Sequence, residues 1–114
     1  MNMLAKKFRL PIQTVLRKKP LFARKDEYFN VKIFANQLAF SRFGAVISRK
    51  IDKRAVYRNR LKRLIFNLIR LEKIYLRPGY DVLIYVSPKI IKLNKIEVQN
   101  ILKNQLHNLP INQC

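Results

Sequence analysis

The chain has 114 residues, with 25 lysines and arginines against 6 acidic residues and a formal net charge of +19. That length holds one hydrophobic core and not two, so a single domain spanning residues 1–114 is expected. The charge excludes a surface of mutually paired ions: self-repulsion opposes compaction, and a polyanionic partner relieves it.

Nucleic acid fits that partner best, because phosphates release counterions when lysine and arginine replace them. An anionic membrane surface is the rival class, but the chain has no run near the ~20 apolar residues that span a bilayer. Residues 1–20 form a basic segment whose start lacks the uninterrupted apolar stretch of a secretory signal. After Pro11, a good first helical position, Ile12, Val15 and Leu16 share one face of a short helix that stops near Pro20.

Residues 28–35 alternate with period two. Phe29, Val31, Ile33 and Ala35 make an apolar face; Tyr28, Asn30, Lys32 and Phe34 make the other. Aromatics beside a cation suit an unpaired base and its phosphate, and suit ordinary solvent-facing decoration equally well. Residues 42–48 read as a second strand pairing with the first as a hairpin. Gly44 in it leaves room for close packing.

A helix is predicted from 53 to about 76, with Asp52 as N-cap and Pro78-Gly79 as the break. Leu61, Leu64, Leu68, Leu71 and Tyr75 recur in steps of three and four, which draws one apolar stripe along it. Residues 80–87 read as a central strand buried on both faces, ended by Pro88. A final amphipathic helix begins at Asn94, its N-cap, with Glu97 at capping-box spacing. Val98, Ile101, Leu102 and Leu106 form its apolar side, and residues 107–114 read as a flexible tail. The one cysteine, Cys114, makes neither an internal disulfide nor a zinc site, so an intracellular, cytoplasmic setting is expected.

Catalytic chemistry is hard to assemble from these residues. His107 is the lone histidine, without a companion at metal-ligand spacing. The carboxylates of Asp26, Glu27, Asp52, Glu72, Asp81 and Glu97 are scattered, and no glycine-rich phosphate cradle is present. The basic constellation is different: residues 42–63 carry nine lysines and arginines against one acid, Asp52. A solvated helix face interleaves both signs in i,i+4 pairs, which this stretch does not. Arginine dominates it, and a planar guanidinium fork suits phosphate oxygens and base edges. RNA or DNA binding follows.

The stretch Ala55-Val-Tyr-Arg-Asn-Arg-Leu-Lys-Arg-Leu-Ile resembles the Arg-Asn-Arg signature of the bacterial ribonuclease P protein family. Phe43-Gly-Ala-Val-Ile-Ser-Arg-Lys-Ile resembles that family's strand and turn before the signature, and Pro78-Gly79-Tyr80-Asp81 resembles its approach to the last strand. The three keep order and spacing over about residues 21–107.

The resemblance implies an α/β (α+β) sandwich: an N-terminal helix, a four-stranded mixed sheet, the Arg-Asn-Arg helix in a left-handed βαβ crossover, and a C-terminal helix. It implies the non-catalytic protein subunit of an endoribonuclease that removes the 5′ leader of precursor tRNA. The active site then lies in the RNA subunit, which holds Mg²⁺. Carried over by position, Arg58, Asn59, Arg60, Lys62 and Arg63 contact that RNA, with Arg49, Lys50, Lys53 and Arg54 close by. Tyr28, Lys32, Phe34 and Ser48 are the leader-binding candidates, with Val46 beside them. The expected partners are ribonuclease P RNA and precursor tRNA, with no membrane and no small-molecule substrate. Two departures stand out: Phe66 and Asn67 replace an Arg-Glu-like pair, and Ile12 and Leu16 stand where the family has aromatics. The alternative classes are a ribosomal or other structural RNA-binding protein, and a membrane-surface module.

Overall fold

A computed structural model describes residues 4–51 and 54–109. The alternating and β-branched segments form four strands, β1 (Phe22–Lys25), β2 (Phe29–Ala35), β3 (Arg42–Val46) and β4 (Tyr80–Val86), in one sheet of order β1-β2-β4-β3. β1 and β2 are antiparallel, β2 and β4 are antiparallel, and β3 runs parallel to β4. The expected hairpin between residues 28–35 and 42–48 is therefore wrong. β4 lies between those strands, and the hairpin partner of β2 is β1. Asp26 makes that turn: its Oδ1 accepts the amides of Tyr28 and Phe29, both at 2.7 Å.

Two helices complete the α+β fold, α1 (Ala55–Glu72) between β3 and β4, and α2 (Lys95–His107) at the end. α1 stops earlier than its periodicity implies. Lys73 adopts a left-handed conformation (φ 56°), and Ile74–Leu76 tighten into a 3₁₀ turn before Gly79, whose φ of 92° suits glycine. The predicted cap of α1, Asp52, lies outside the described residues, and Arg54 at the N-cap position makes no side-chain cap bond. α2 begins as expected: Asn94 Oδ1 accepts the Glu97 amide at 2.8 Å, and Glu97 Oε1 accepts the Asn94 amide at 3.0 Å. Within the segment read as a tail, His107 is helical and Leu109 is fully buried, and residues 110–114 lie outside the described residues.

Both helices cover one face of the sheet. Phe29, Val31 and Ile33 of β2, Phe43 and Ala45 of β3, and Val82, Ile84 and Val86 of β4 meet them there in the main core. The stripe on α1 is displaced from the predicted one. Leu61 and Leu68 are buried with Ile65, Phe66 and Ile69, while Leu71 is 59% exposed. Phe66, the residue standing where a cation was expected, is 3% exposed and fills this core.

The opposite face carries a smaller cluster, in which Leu10 and Val15 of the N-terminal segment pack on Phe34 and Leu83. The predicted N-terminal α-helix is instead two 3₁₀ turns, Lys6–Phe8 and Ile12–Thr14. Between them Arg9 bridges to Phe43 in parallel, and the Leu10 amide donates to the Phe43 carbonyl at 2.8 Å. Gly44 leaves room for this docking: a Cβ there would make a tight contact of 3.3 Å with Leu83 Cδ1 and lie 3.4 Å from Leu10 Cβ. Phe8 holds the other end, its ring 4.4 Å from that of Tyr75 and 5.2 Å from that of Phe40.

The most deeply buried charge is paired, while Arg70 Nε and Gln105 Oε1 are buried without a hydrogen-bond partner. Asp81 in β4 has 0% exposure and receives Arg42 in a two-pronged bond, Nε to Oδ1 at 2.9 Å and Nη2 to Oδ2 at 2.8 Å. Asn36 Nδ2 donates to Oδ1 at 2.9 Å. The carboxylate in turn raises the Arg42 pKa above its ordinary value. At the far end of the helical layer, Glu72 joins α1 to α2 through His107 Nε2 at 2.9 Å and Lys103 Nζ at 3.5 Å. The hydrogen bond from His107 is the main reason that the Glu72 pKa lies below its ordinary value.

Two outcomes are expected. Arg42→Met strands a charge inside the sheet and costs about 3–5 kcal/mol of unfolding free energy in urea titration, much of it recovered when Asp81→Leu is added. A single variant within experimental error of the wild type would refute the pairing. Folded Glu72 gives up its proton more readily than the unfolded chain does, so its contribution is full above the ordinary glutamate pKa of about 4.3 and fades as pH falls through the lower folded value. The stability gap between wild type and Glu72→Gln should therefore shrink on acidification from pH 6 to pH 3; a gap that widens would contradict the contact.

Candidate nucleic-acid interface

Four of the five cations of α1 lie on its N-terminal half, and the fifth, Arg70, sits in the last turn and donates to Asn67 Oδ1. Asn59, Arg60, Lys62 and Arg63 are exposed and Arg58 is half-buried, while the residues buried against the sheet begin at Leu61 and thicken toward Ile69. Arg54 is exposed just before the helix, its guanidinium 5.8 Å from the centre of the Tyr57 ring. Lys53, also predicted here, lies outside the described residues. Arg49 and Lys50 are exposed on the turn that leaves β3. The turn is closed by Ser48 Oγ accepting the Lys50 amide at 3.1 Å and anchored by buried Ile51.

The five described carboxylates are all engaged elsewhere. Asp26 caps the β1–β2 turn and accepts from Gln105. Glu27 faces Lys89, Glu72 faces Lys103 and His107, Asp81 holds Arg42, and Glu97 caps α2. No ion pair among the described residues involves Arg60, Lys62 or Arg63. Like charges at such spacing repel on a helix, and here the fold supplies them no described counter-charge.

A second surface is the part of the sheet beside the N-terminal segment, where half-buried Val46 and Tyr85 pack at the margin of the Leu10, Val15, Phe34 and Leu83 cluster. Strand register places Lys25, Asn30, Tyr85 and Val46 in one row across all four strands, with Lys32 in the next row. Lys25 is exposed and the other four are half-buried. Lys32 Nζ lies 5.2 Å from the centre of the Tyr85 ring, an aromatic platform with a cation over it. This row ends at Val46, two residues before the Ser48 turn that carries Arg49 and Lys50. The open sheet row and the basic start of α1 therefore share one end of the molecule.

The structure regroups the leader-binding candidates. Lys32 is on the open face, and Ser48 is exposed at its border. Phe34 shares the face but is 3% exposed, because Leu10 and Val15 cover it. Tyr28 precedes the strand and packs against the main core with the helices, so the expected Tyr28–Phe34 platform does not exist. Tyr85 takes that place. The sequence hides it because the run 80–87 is uniformly apolar, and only the pairing Asn30↔Tyr85 reveals which side it takes.

Comparison with known proteins places the fold in a family. The family model described as Ribonuclease P matches residues 7–110. A ribonuclease P protein component from Pseudanabaena sp. is 33% identical over 106 residues, covering 85% of this chain and 91% of that protein. One from Synechocystis sp. is 45% identical over 58 residues, or 51% of this chain and 47% of the relative, so that alignment spans about half of each. The RNase P protein from Thermotoga maritima, solved in complex with 1-(4-fluorophenyl)-2-thiourea, superposes with a TM-score of 0.76 at 28% identity, covering 89% of this chain and 99% of that one. With the family model matched over nearly its whole length, the chain belongs to the ribonuclease P protein family.

Proposed function

We propose that this chain is the protein subunit of a ribonuclease P ribonucleoprotein, assisting an RNA catalyst in removing the 5′ leader of precursor tRNA. The observation that carries this reading is a run of three exposed cations on α1, Arg60, Lys62 and Arg63, that no ion pair among the described residues engages. Arg58 to Arg63 bind the catalytic RNA, and Arg49, Lys50, Lys53 and Arg54 extend that contact. The leader of the precursor tRNA runs over the open sheet row, where a base stacks on Tyr85 and Lys32 meets a phosphate.

In this reading the protein performs no bond cleavage. Its cations lower the electrostatic barrier to bringing two RNAs together, and its sheet fixes the substrate's single strand beside the docked catalyst. Mg²⁺ supplies charge neutralisation and activates the attacking water when bound. In this reading the ion is held mainly by phosphates of the RNA subunit. No helix among the described residues is long and apolar enough to cross a bilayer.

The deciding experiment adds the chain to a bacterial ribonuclease P RNA at low Mg²⁺ with precursor tRNA. Wild-type protein should restore 5′ cleavage. Arg60→Ala with Lys62→Ala should bind the RNA more weakly, with a slope of log K against log salt shallower by about 0.7–0.9 for each phosphate left without its cation. Folded wild-type protein that fails to rescue cleavage sinks the reading. A second expectation concerns the sheet. Tyr85→Ala should weaken binding of leader-bearing precursor by about 1–3 kcal/mol while leaving mature tRNA unaffected; equal losses for both would remove Tyr85 from the leader path.

A further inference from the structure

The two helices do not close on each other along their whole length. Between the middle of α1 and the start of α2 lies an open groove of about 720 Å³, within the range of about 300–1,000 Å³ typical of ligand sites. Its floor is apolar: Leu61 and Val98 are buried beneath half-buried Leu64. Its rim is cationic, with Arg60 and Arg63 contributed by α1 and Lys95 by α2, and among the described residues no carboxylate lines it. Gln99 adds an amide at the edge.

We infer that this groove seats one unpaired nucleotide of the RNA bound by α1, its base on the Leu61–Leu64–Val98 floor and its phosphate on Arg60, Arg63 and Lys95. The inference rests on the reading of α1 as an RNA-binding helix and adds to it a place where that RNA is opened. Charge complementarity selects the occupant. An apolar floor under a ring of cations matches a molecule with a flat, weakly solvated face and an anionic backbone. A base inside a duplex is stacked on its neighbours and cannot present that face, whereas a bulged or looped-out base can. The Gln99 amide is placed to donate to or accept from the base edge. In this arrangement Arg60 and Arg63 do more than attract a polyanion: they fix the register of α1 on the RNA by holding the backbone on either side of one extruded base.

The test uses the full chain and a bacterial ribonuclease P RNA. Gln99→Trp fills the groove without removing a cation, and Lys95→Glu inverts the rim at an exposed position where folding is not at stake. Each should weaken RNA binding about tenfold, the loss of one well-seated base. Chemical acylation of 2′-hydroxyls should reveal one unpaired nucleotide that wild-type protein protects and that both variants leave reactive. If both variants bind as the wild type does while Arg58→Ala, outside the groove, still weakens binding, the groove is not a nucleotide site and the α1 reading stands. An RNA that ignores the wild-type chain overturns both.

Discussion

A carboxylate sealed inside the sheet holds the architecture in register. Asp81 sits in β4, the strand that touches both β2 and β3, and it is gripped by Arg42 from β3 and by Asn36 from the loop after β2. Parallel pairing between β3 and β4 is the costly step of this fold, because the whole of α1 must first be spooled out between them. A two-pronged ion pair at the first position of that pairing, Arg42 opposite Asp81, specifies a register that alternating apolar residues alone would leave open to a two-residue slip. Everything functional is measured from that register. It sets Val46 opposite Tyr85, and so decides which aromatic the sheet presents.

α1 divides its labour along its length as well as around its circumference. Its C-terminal half packs Ile65, Phe66, Leu68 and Ile69 into the core, and its N-terminal half projects beyond that packing with its cations. A buried phenylalanine contributes about 1.5–3 kcal/mol relative to an exposed one, a gain that offsets part of the repulsion among neighbouring arginines. Phe66, unexpected as a member of a basic motif, is thus what anchors the motif. A cation at that position would have had no solvent to reach.

α1, α2 and the capping box at Asn94 are legible in the sequence because they depend on local spacing, whereas the expected N-terminal helix is two 3₁₀ turns. The family resemblance is legible because its three stretches keep their order. The strand order is not, since nothing local tells residues 28–35 to pair with 22–25 and 80–86 rather than with 42–46. That error carries the site with it: alternation makes Phe34 and Tyr28 a platform, blind to Leu10 and Val15 covering one and the helical layer claiming the other. Leu71 fails for a related reason. A stripe of leucines at steps of three and four fits a helix packed squarely on one neighbour. α1 instead meets both sheet and α2, so its buried arc is rotated toward Ile65, Phe66 and Ile69.

The distribution of the few acidic residues explains how so basic a chain folds and still offers its charge outward. The described carboxylates serve the architecture: a turn at Asp26, a cap at Glu97, a strand register at Asp81, a helix-to-helix tie at Glu72. None of these neutralises the N-terminal half of α1 or the open row of the sheet. Those two surfaces share one end of the molecule, so the unbalanced field is concentrated where a base platform and an apolar groove also lie. Under the function proposed above, charge of one sign brings an RNA to that end from a distance and without regard to sequence. Tyr85 and the floor of the groove would then act only at contact and only on bases that are not paired. That combination would favour structured RNA with exposed single strands over duplex, a selectivity that neither the charge nor the apolar sites would provide alone.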